Sequence, residues 1–185
     1  MDRGTYTEYE GRPAVRFQRT YPHPIERVWA AVATPEGLAH WFPSTVEIEP
    51  RAGGTVTFSG DPNLDATTGT ILVFEPPRQL AFTWSDDELR FDLEPVDAHH
   101  CRLTLTNVLQ ARDAAARNAA GWSVCLAELD KHLSGLGADG PHAPTAEPWQ
   151  PYYDGYVASG MPSGAAIPGA SSAAAPAGTA EGGGQ

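Results

Sequence analysis

Residues 19–42 read RTYPHPIERVWAAVATPEGLAHWF, and two helix starts lie inside that stretch. Pro24 suits a first helical position, where an amide hydrogen would find no partner. Ile25, Val28, Trp29 and Val32 then recur at spacings of three and four. The spacing predicts a helix over 24–33 with one apolar face that must pack against a sheet. At Thr34-Pro35-Glu36 a second short helix begins, with Thr34 as cap and Pro35 in the first turn, and it ends near Trp41-Phe42-Pro43. Upstream, Val15 and Phe17 alternate with Arg16 and Gln18, the pattern of a half-buried strand.

Downstream, strand signals follow one another: Val46 and Ile48; Val56 and Phe58; Ile71 to Phe74; Leu80, Phe82 and Trp84; Leu89, Phe91 and Leu93; Cys101, Leu103 and Leu105. Turn residues separate them, at Arg51 to Gly54, Gly60 to Asn63, Pro76-Pro77, Ser85 to Asp87 and Pro95 to His99. Consecutive strands with short turns make an antiparallel meander. From Asp113 the period turns helical, and Trp122, Leu126, Leu129, Leu133 and Leu136 form one apolar stripe, stopped by Gly135 and Gly137. The expected fold is α+β: a curved antiparallel sheet of about six to seven strands wrapped around a long C-terminal helix, with two short helices after the first strand.

The run 19–42, followed by Ala52 to Gly54, Gly69 to Ile71, Pro77 to Leu80, Phe82 to Trp84, and Gly121-Trp122 with Leu126, Leu129 and Leu133, resembles the SRPBCC, or START-like, superfamily. Within it the chain is similar to the branch named for the activator of the heat-shock protein 90 ATPase, over about 14–136. The resemblance implies a helix-grip fold with an internal cavity for a hydrophobic ligand. It implies no fixed catalytic set, because such folds serve lipid carriers, hormone receptors, cyclases and co-chaperones alike. The eukaryotic co-chaperone has a further N-terminal domain, whereas thirteen residues precede the first expected strand here. ATPase activation is therefore not expected.

Composition divides the 185 residues. Between Ala138 and Gln185, 34 of 48 residues are Ala, Gly, Pro, Ser or Thr, too little apolar surface to offset the entropy of ordering. The folding unit is expected at 1–137, and 138–185 is expected to be a largely disordered tail. Within it, Pro148 to Tyr156 holds Trp149, Tyr152, Tyr153 and Tyr156. These aromatics either stay in water, which is the expectation, or dock on the domain.

A net charge of −11 makes nucleic acid a poor partner. The first nineteen residues lack an apolar core, and the longest apolar run is Val28 to Ala33, so neither a secretion signal nor a membrane span is expected. Cys101 and Cys125 fit reduced thiols in a cytoplasmic protein.

Catalytic and metal motifs are thin. Asp61 to Asp65 imitates a calcium loop, but Ala66 replaces its glycine and Leu72 its terminal Glu, so it reads as a turn. His99 and His100 are adjacent on a strand pattern and cannot share an ion without a bulge. His40 is either a general base at a cavity mouth or a surface residue, the latter being favoured. Ser123 sits in a helical pattern rather than a nucleophile elbow and is expected on the helix surface. Arg19 keeps the parity of Val15 and Phe17, and is expected past the strand end in solvent. No catalytic residue, metal or cofactor is assigned.

The apolar set remains. Trp41, Phe58, Phe82, Trp84, Phe91, Leu103, Leu105, Trp122 and Leu126 are the expected ligand-binding residues, with a small hydrophobic molecule as partner. Simple core packing is the alternative. The expected function is ligand binding in the cavity, with a cyclase or hydrolase, or a protein-interaction module, as alternatives; a homodimer or other protein partner is left open.

Overall fold

The computed structural model describes residues 3–168. In chain order the elements are β1 (Thr5–Tyr9), β2 (Arg12–Tyr21), α1 (Ile25–Ala33), α2 (Pro35–Leu38), β3 (Thr45–Ile48), β4 (Thr55–Ser59), β5 (Thr67–Glu75), β6 (Gln79–Trp84), β7 (Asp87–Pro95) and β8 (Cys101–Val108). A 3-10 turn at Arg112–Ala114 leads into α3 (Ala115–Leu133), and α4 (Trp149–Ala158) follows. The strands form one antiparallel sheet in the order β1-β2-β8-β7-β6-β5-β4-β3. The expected meander is β3 to β8, and β2 returns beside β8.

Eight strands exceed the expected six to seven, and the extra one is β1. It lies at the edge and none of its side chains is fully buried, so no apolar alternation marks it. Its turn to β2 is Glu10-Gly11, both with positive φ, the two-residue geometry that matches strand twist. Glu-Gly is a weak signal beside the usual Asn-Gly or Asp-Gly.

Alternation places the core. Leu89, Phe91 and Leu93 on β7 face Asn107, Leu105 and Leu103 on β8, and all six are buried on the side that α3 covers. Pro24 precedes α1, and Thr34 caps α2 by accepting from the Gly37 N–H at 3.1 Å. A side chain at Gly37 would begin 2.2 Å from the Ala30 carbonyl, so only glycine lets α2 fold back onto α1. That fold-back delivers Trp41 to the core, where its indole N–H donates to the Ala31 carbonyl at 2.9 Å. α3 ends where Gly135 turns left-handed at φ 73 and the Leu136 N–H donates back to the Lys131 carbonyl. Leu136, expected on the apolar stripe, is consequently exposed beyond the helix.

Three surface expectations are corrected. β2 runs on to Tyr21, so Arg19 is inside the strand opposite Leu103, with its guanidinium 3.8 Å from Asp130 of α3. Asp130 also accepts from the Tyr21 hydroxyl at 2.7 Å, and burial raises its pKa despite that bond and the nearby Arg19. Ser123 is buried, not on the helix surface. The segment 148–156, expected to remain in water, forms most of α4 and docks on α3.

The Tyr156 hydroxyl explains the docking. It accepts from the Gly4 N–H at 2.9 Å and lies 2.8 Å from Ser123 Oγ. Ser123 donates its one hydrogen to the Ala119 carbonyl, so tyrosine must be the donor in that pair. The linker is pinned as well: buried Glu128 accepts from Lys131 and from the Asp139 N–H, while Lys131 also reaches the Thr145 carbonyl. Past α4, Met161 is buried and the Pro162 carbonyl accepts from the Ala116 N–H at the start of α3. Residues 169–185, the remainder of the expected disordered tail, lie outside the described part.

Candidate functional site

Of the nine expected ligand-binding residues, Trp84 and Trp122 line a cleft and the other seven do not. Trp41, Phe58, Phe82, Phe91, Leu103, Leu105 and Leu126 are fully buried core. Phe42 packs among the core rings, its centroid 5.7 to 6.4 Å from those of Phe58, Phe82, Trp84 and Trp122. The concave face of the sheet is filled by its own aromatics, which is the packing alternative.

Trp84 and Trp122 are the exceptions. Trp122 meets β8 at the inward position after Leu105, where its indole N–H donates to Asn107 Oδ1 at 3.1 Å. A buried indole needs an acceptor, and Asn107 is the polar residue on that otherwise apolar face. The Trp122 and Trp84 rings pack with centroids 5.4 Å apart, and together they form one wall of an open cleft of about 650 Å³.

Three parts of the chain build the cleft. The N-terminal half of α3 contributes Arg117, Asn118, Gly121, Trp122 and Cys125, at spacings of three and four that share a face. The turns of the sheet contribute Asp61, Leu64, Trp84, Asp86 and Asp87. The segment after α3 closes it with Pro141, His142, Glu147, Trp149 and Ile167. α4 and its flanks thus supply a wall.

Neutral hydrogen bonds hold the polar groups. Asp87 accepts from Asn107 at 3.0 Å, Asn118 at 2.9 Å and the Gln110 N–H at 2.9 Å. Asn118 donates as well to Asn107 Oδ1, so this network ties β7, β8 and α3 together behind Trp122. Asp61 accepts from the Asn63 N–H in a tight turn, as expected, and its side chain is only 6% exposed. His142 Nε2 donates to the Pro43 carbonyl at 2.9 Å and lies 3.7 Å from Asp61. Glu147 accepts from the Tyr152 hydroxyl. Burial above all, then the Asp61 charge, pushes the Cys125 thiol far up, so it is a poor nucleophile.

His40 is exposed and stacked on His132 at 4.2 Å, away from the cleft. His99 and His100 are in an exposed turn. Among the described residues no three His, Cys, Asp or Glu side chains come together as a metal site, and no helix is long and apolar enough to cross a membrane.

Sequence reasoning missed Asn107, Asn118, Asp87, Gly121 and the whole post-helix wall. Parity could have found Asn107, which continues the inward series 101, 103, 105. The others depend on which turns meet α3, a long-range matter.

An antiparallel sheet gripping a long helix, with a cleft at the helix's N-terminal half, defines the helix-grip class. The chain belongs to the family described as activator of Hsp90 ATPase homolog 1-like protein, which matches residues 22–134. Solved structures agree in fold. A conserved protein of unknown function from Enterococcus faecalis aligns with a TM-score of 0.66 and 20% identity, over 84% of this chain and 89% of that one. CalU16 from Micromonospora echinospora aligns at 0.63 and 20%, over 85% and 96%. A Bordetella parapertussis protein aligns at 0.59 and 27%, over 83% and 87%. No curated protein matches significantly. In general terms, fold and family are those of a ligand-binding or interaction module.

Proposed function

We propose that the protein binds a small, mostly apolar molecule in the cleft beside α3, without a catalytic step. One observation carries this reading. Gly121 is in the middle of α3, lines the cleft, and a side chain built on it would meet nothing within 4 Å. A mid-helix glycine costs about 1 kcal/mol against alanine. Here the cost leaves the helix backbone bare next to Trp122. Cleft size supports the reading, since about 300 to 1,000 Å³ suits a drug-sized ligand.

The cyclase or hydrolase alternative has less support. The His142 Nε2 hydrogen is engaged by a carbonyl and the Cys125 thiol is held protonated. Two buried free cysteines fit a reducing compartment such as the cytoplasm.

Titration with the neutral fluorophore N-phenyl-1-naphthylamine tests the reading. Saturable binding that Trp84→Ala weakens, and that Leu72→Ala on an exposed strand position does not, is the expected result. No saturable binding, or equal loss in both variants, would refute it.

A further inference from the structure

Several carboxylates outside the cleft lie beside cations: Glu88 with Arg12 and Arg90, Asp130 with Arg19, Glu94 with Arg102, Glu128 with Lys131. The four carboxylates that line the cleft, Asp61, Asp86, Asp87 and Glu147, are paired with no Lys or Arg among the described residues. Asp61, Asp87 and Glu147 are satisfied by backbone N–H groups, side-chain amides and a tyrosine hydroxyl. Arg117 is the one guanidinium in the lining, and it donates to the Ala166 carbonyl at 2.7 Å and to the Asn118 amide oxygen.

Hydrogen bonds from neutral donors satisfy lone pairs but leave the charge in place. Asp61 is the sharpest case, with a side chain more than nine-tenths buried at the lining and only a histidine, His142 at 3.7 Å, as its ion-pair partner among the described residues. Its charge adds to the effect of burial in raising the pKa of Cys125, which lines the cleft from α3. Trp84, Trp122 and Trp149 line the same space. Indole faces attract cations, and more strongly where water is displaced. An anion there would meet four like charges against the single guanidinium of Arg117, whereas a cation would gain both the excess of carboxylates and the rings.

We infer that the cleft selects a cationic amphipathic small molecule, a protonated amine attached to a flat apolar body, with Asp61 and Glu147 as the charge-reading residues and the tryptophans holding the body. The inference rests on the reading of the cleft as a small-molecule site and names its ligand class. Glu147 and Trp149 lie beyond the family-matched segment 22–134, so part of this selectivity is written in the chain's own C-terminal extension.

Three probes with one naphthalene body separate the possibilities: 2-(2-naphthyl)ethylamine, 2-(2-naphthyl)ethanol and 2-naphthylacetate, titrated by calorimetry into the full chain at low salt. The amine should bind at least tenfold more tightly than the alcohol, and the acetate more weakly than the alcohol. Asp61→Asn and Glu147→Gln should each shrink the amine-to-alcohol ratio. Raising sodium chloride on the wild-type protein should shrink it too, which keeps the test open if a variant does not fold. Amine and alcohol binding equally would overturn the charge inference and leave the cleft reading standing, as would tightest binding of the acetate. Failure of all three to bind would overturn both.

Discussion

Tyr156→Phe removes one oxygen and should unlatch α4 from α3. The hydroxyl is buried between the Gly4 N–H at 2.9 Å and Ser123 Oγ at 2.8 Å. Phenylalanine keeps the ring but strands the Gly4 donor, and a buried group left without its partner costs about 1 to 3 kcal/mol. For a chain of this size each kcal/mol moves the melting midpoint by about 2 to 4 °C, so the variant should melt roughly 2 to 12 °C lower. Tyr156→Ala also removes a buried ring and should cost about 3 to 5 kcal/mol. Calorimetric melts give the totals. Hydrogen exchange locates them, because the Gly4 amide should be protected in the wild type and exposed in Tyr156→Phe. A cycle with Ser123→Ala should show coupling between the two positions, since they touch. Wild-type stability in Tyr156→Ala, or an unprotected Gly4 amide in the parent protein, would refute the docking of α4.

Three further outcomes follow from the same contacts. Trp122→Ala should cost about 3 to 5 kcal/mol in a denaturant melt, because it empties the space between Trp84 and Phe42 and leaves Asn107 short of a donor. Truncation after Ala158 exposes the Met161 site and removes the carbonyl that receives the Ala116 N–H; losing one buried methionine alone predicts a drop of about 1.5 to 3 kcal/mol. Acid sensitivity should track His132, whose pKa is lowered from 6.5 by burial first, then by the charges of His40 and Arg27. The folded state takes up that proton less readily than the unfolded one, so this contribution is whole above about pH 6.5 and is lost as pH falls through the lowered value. His40→Gln should flatten the fall of the melting midpoint between pH 7 and 5.

Period and punctuation carried most of the architecture. Pro24 and Thr34-Pro35 marked α1 and α2, alternation marked the six meander strands, and Gly135 marked the end of α3. Each of those signals acts within a few residues. The site was less legible because it is built from contacts far apart in sequence. Phe58 and Phe82 share a face whether that face is hollow or filled, and only side-chain volumes meeting across the sheet decide which. Composition misjudged the segment after α3 for a related reason. Its Ala, Gly and Pro content is that of a disordered tail, yet Trp149, Tyr152, Tyr153 and Tyr156 concentrate its apolar surface in a single helix. One buried hydroxyl contact with Ser123 and Gly4 then fixes where that helix lies.

The central claim is that the space beside Gly121 is where a ligand binds. Calorimetric titration of 2-(2-naphthyl)ethanol into the wild type, Gly121→Ala and Gly121→Leu addresses it directly, with a thermal melt of each protein alongside. Both substitutions introduce a better helix former, and the added Cβ meets no neighbouring segment within 4 Å, so both proteins should fold, Gly121→Ala about 1 kcal/mol more stably. Gly121→Leu should bind at least tenfold more weakly than the wild type, because its side chain occupies the cleft. A folded Gly121→Leu protein with wild-type affinity would contradict the assignment.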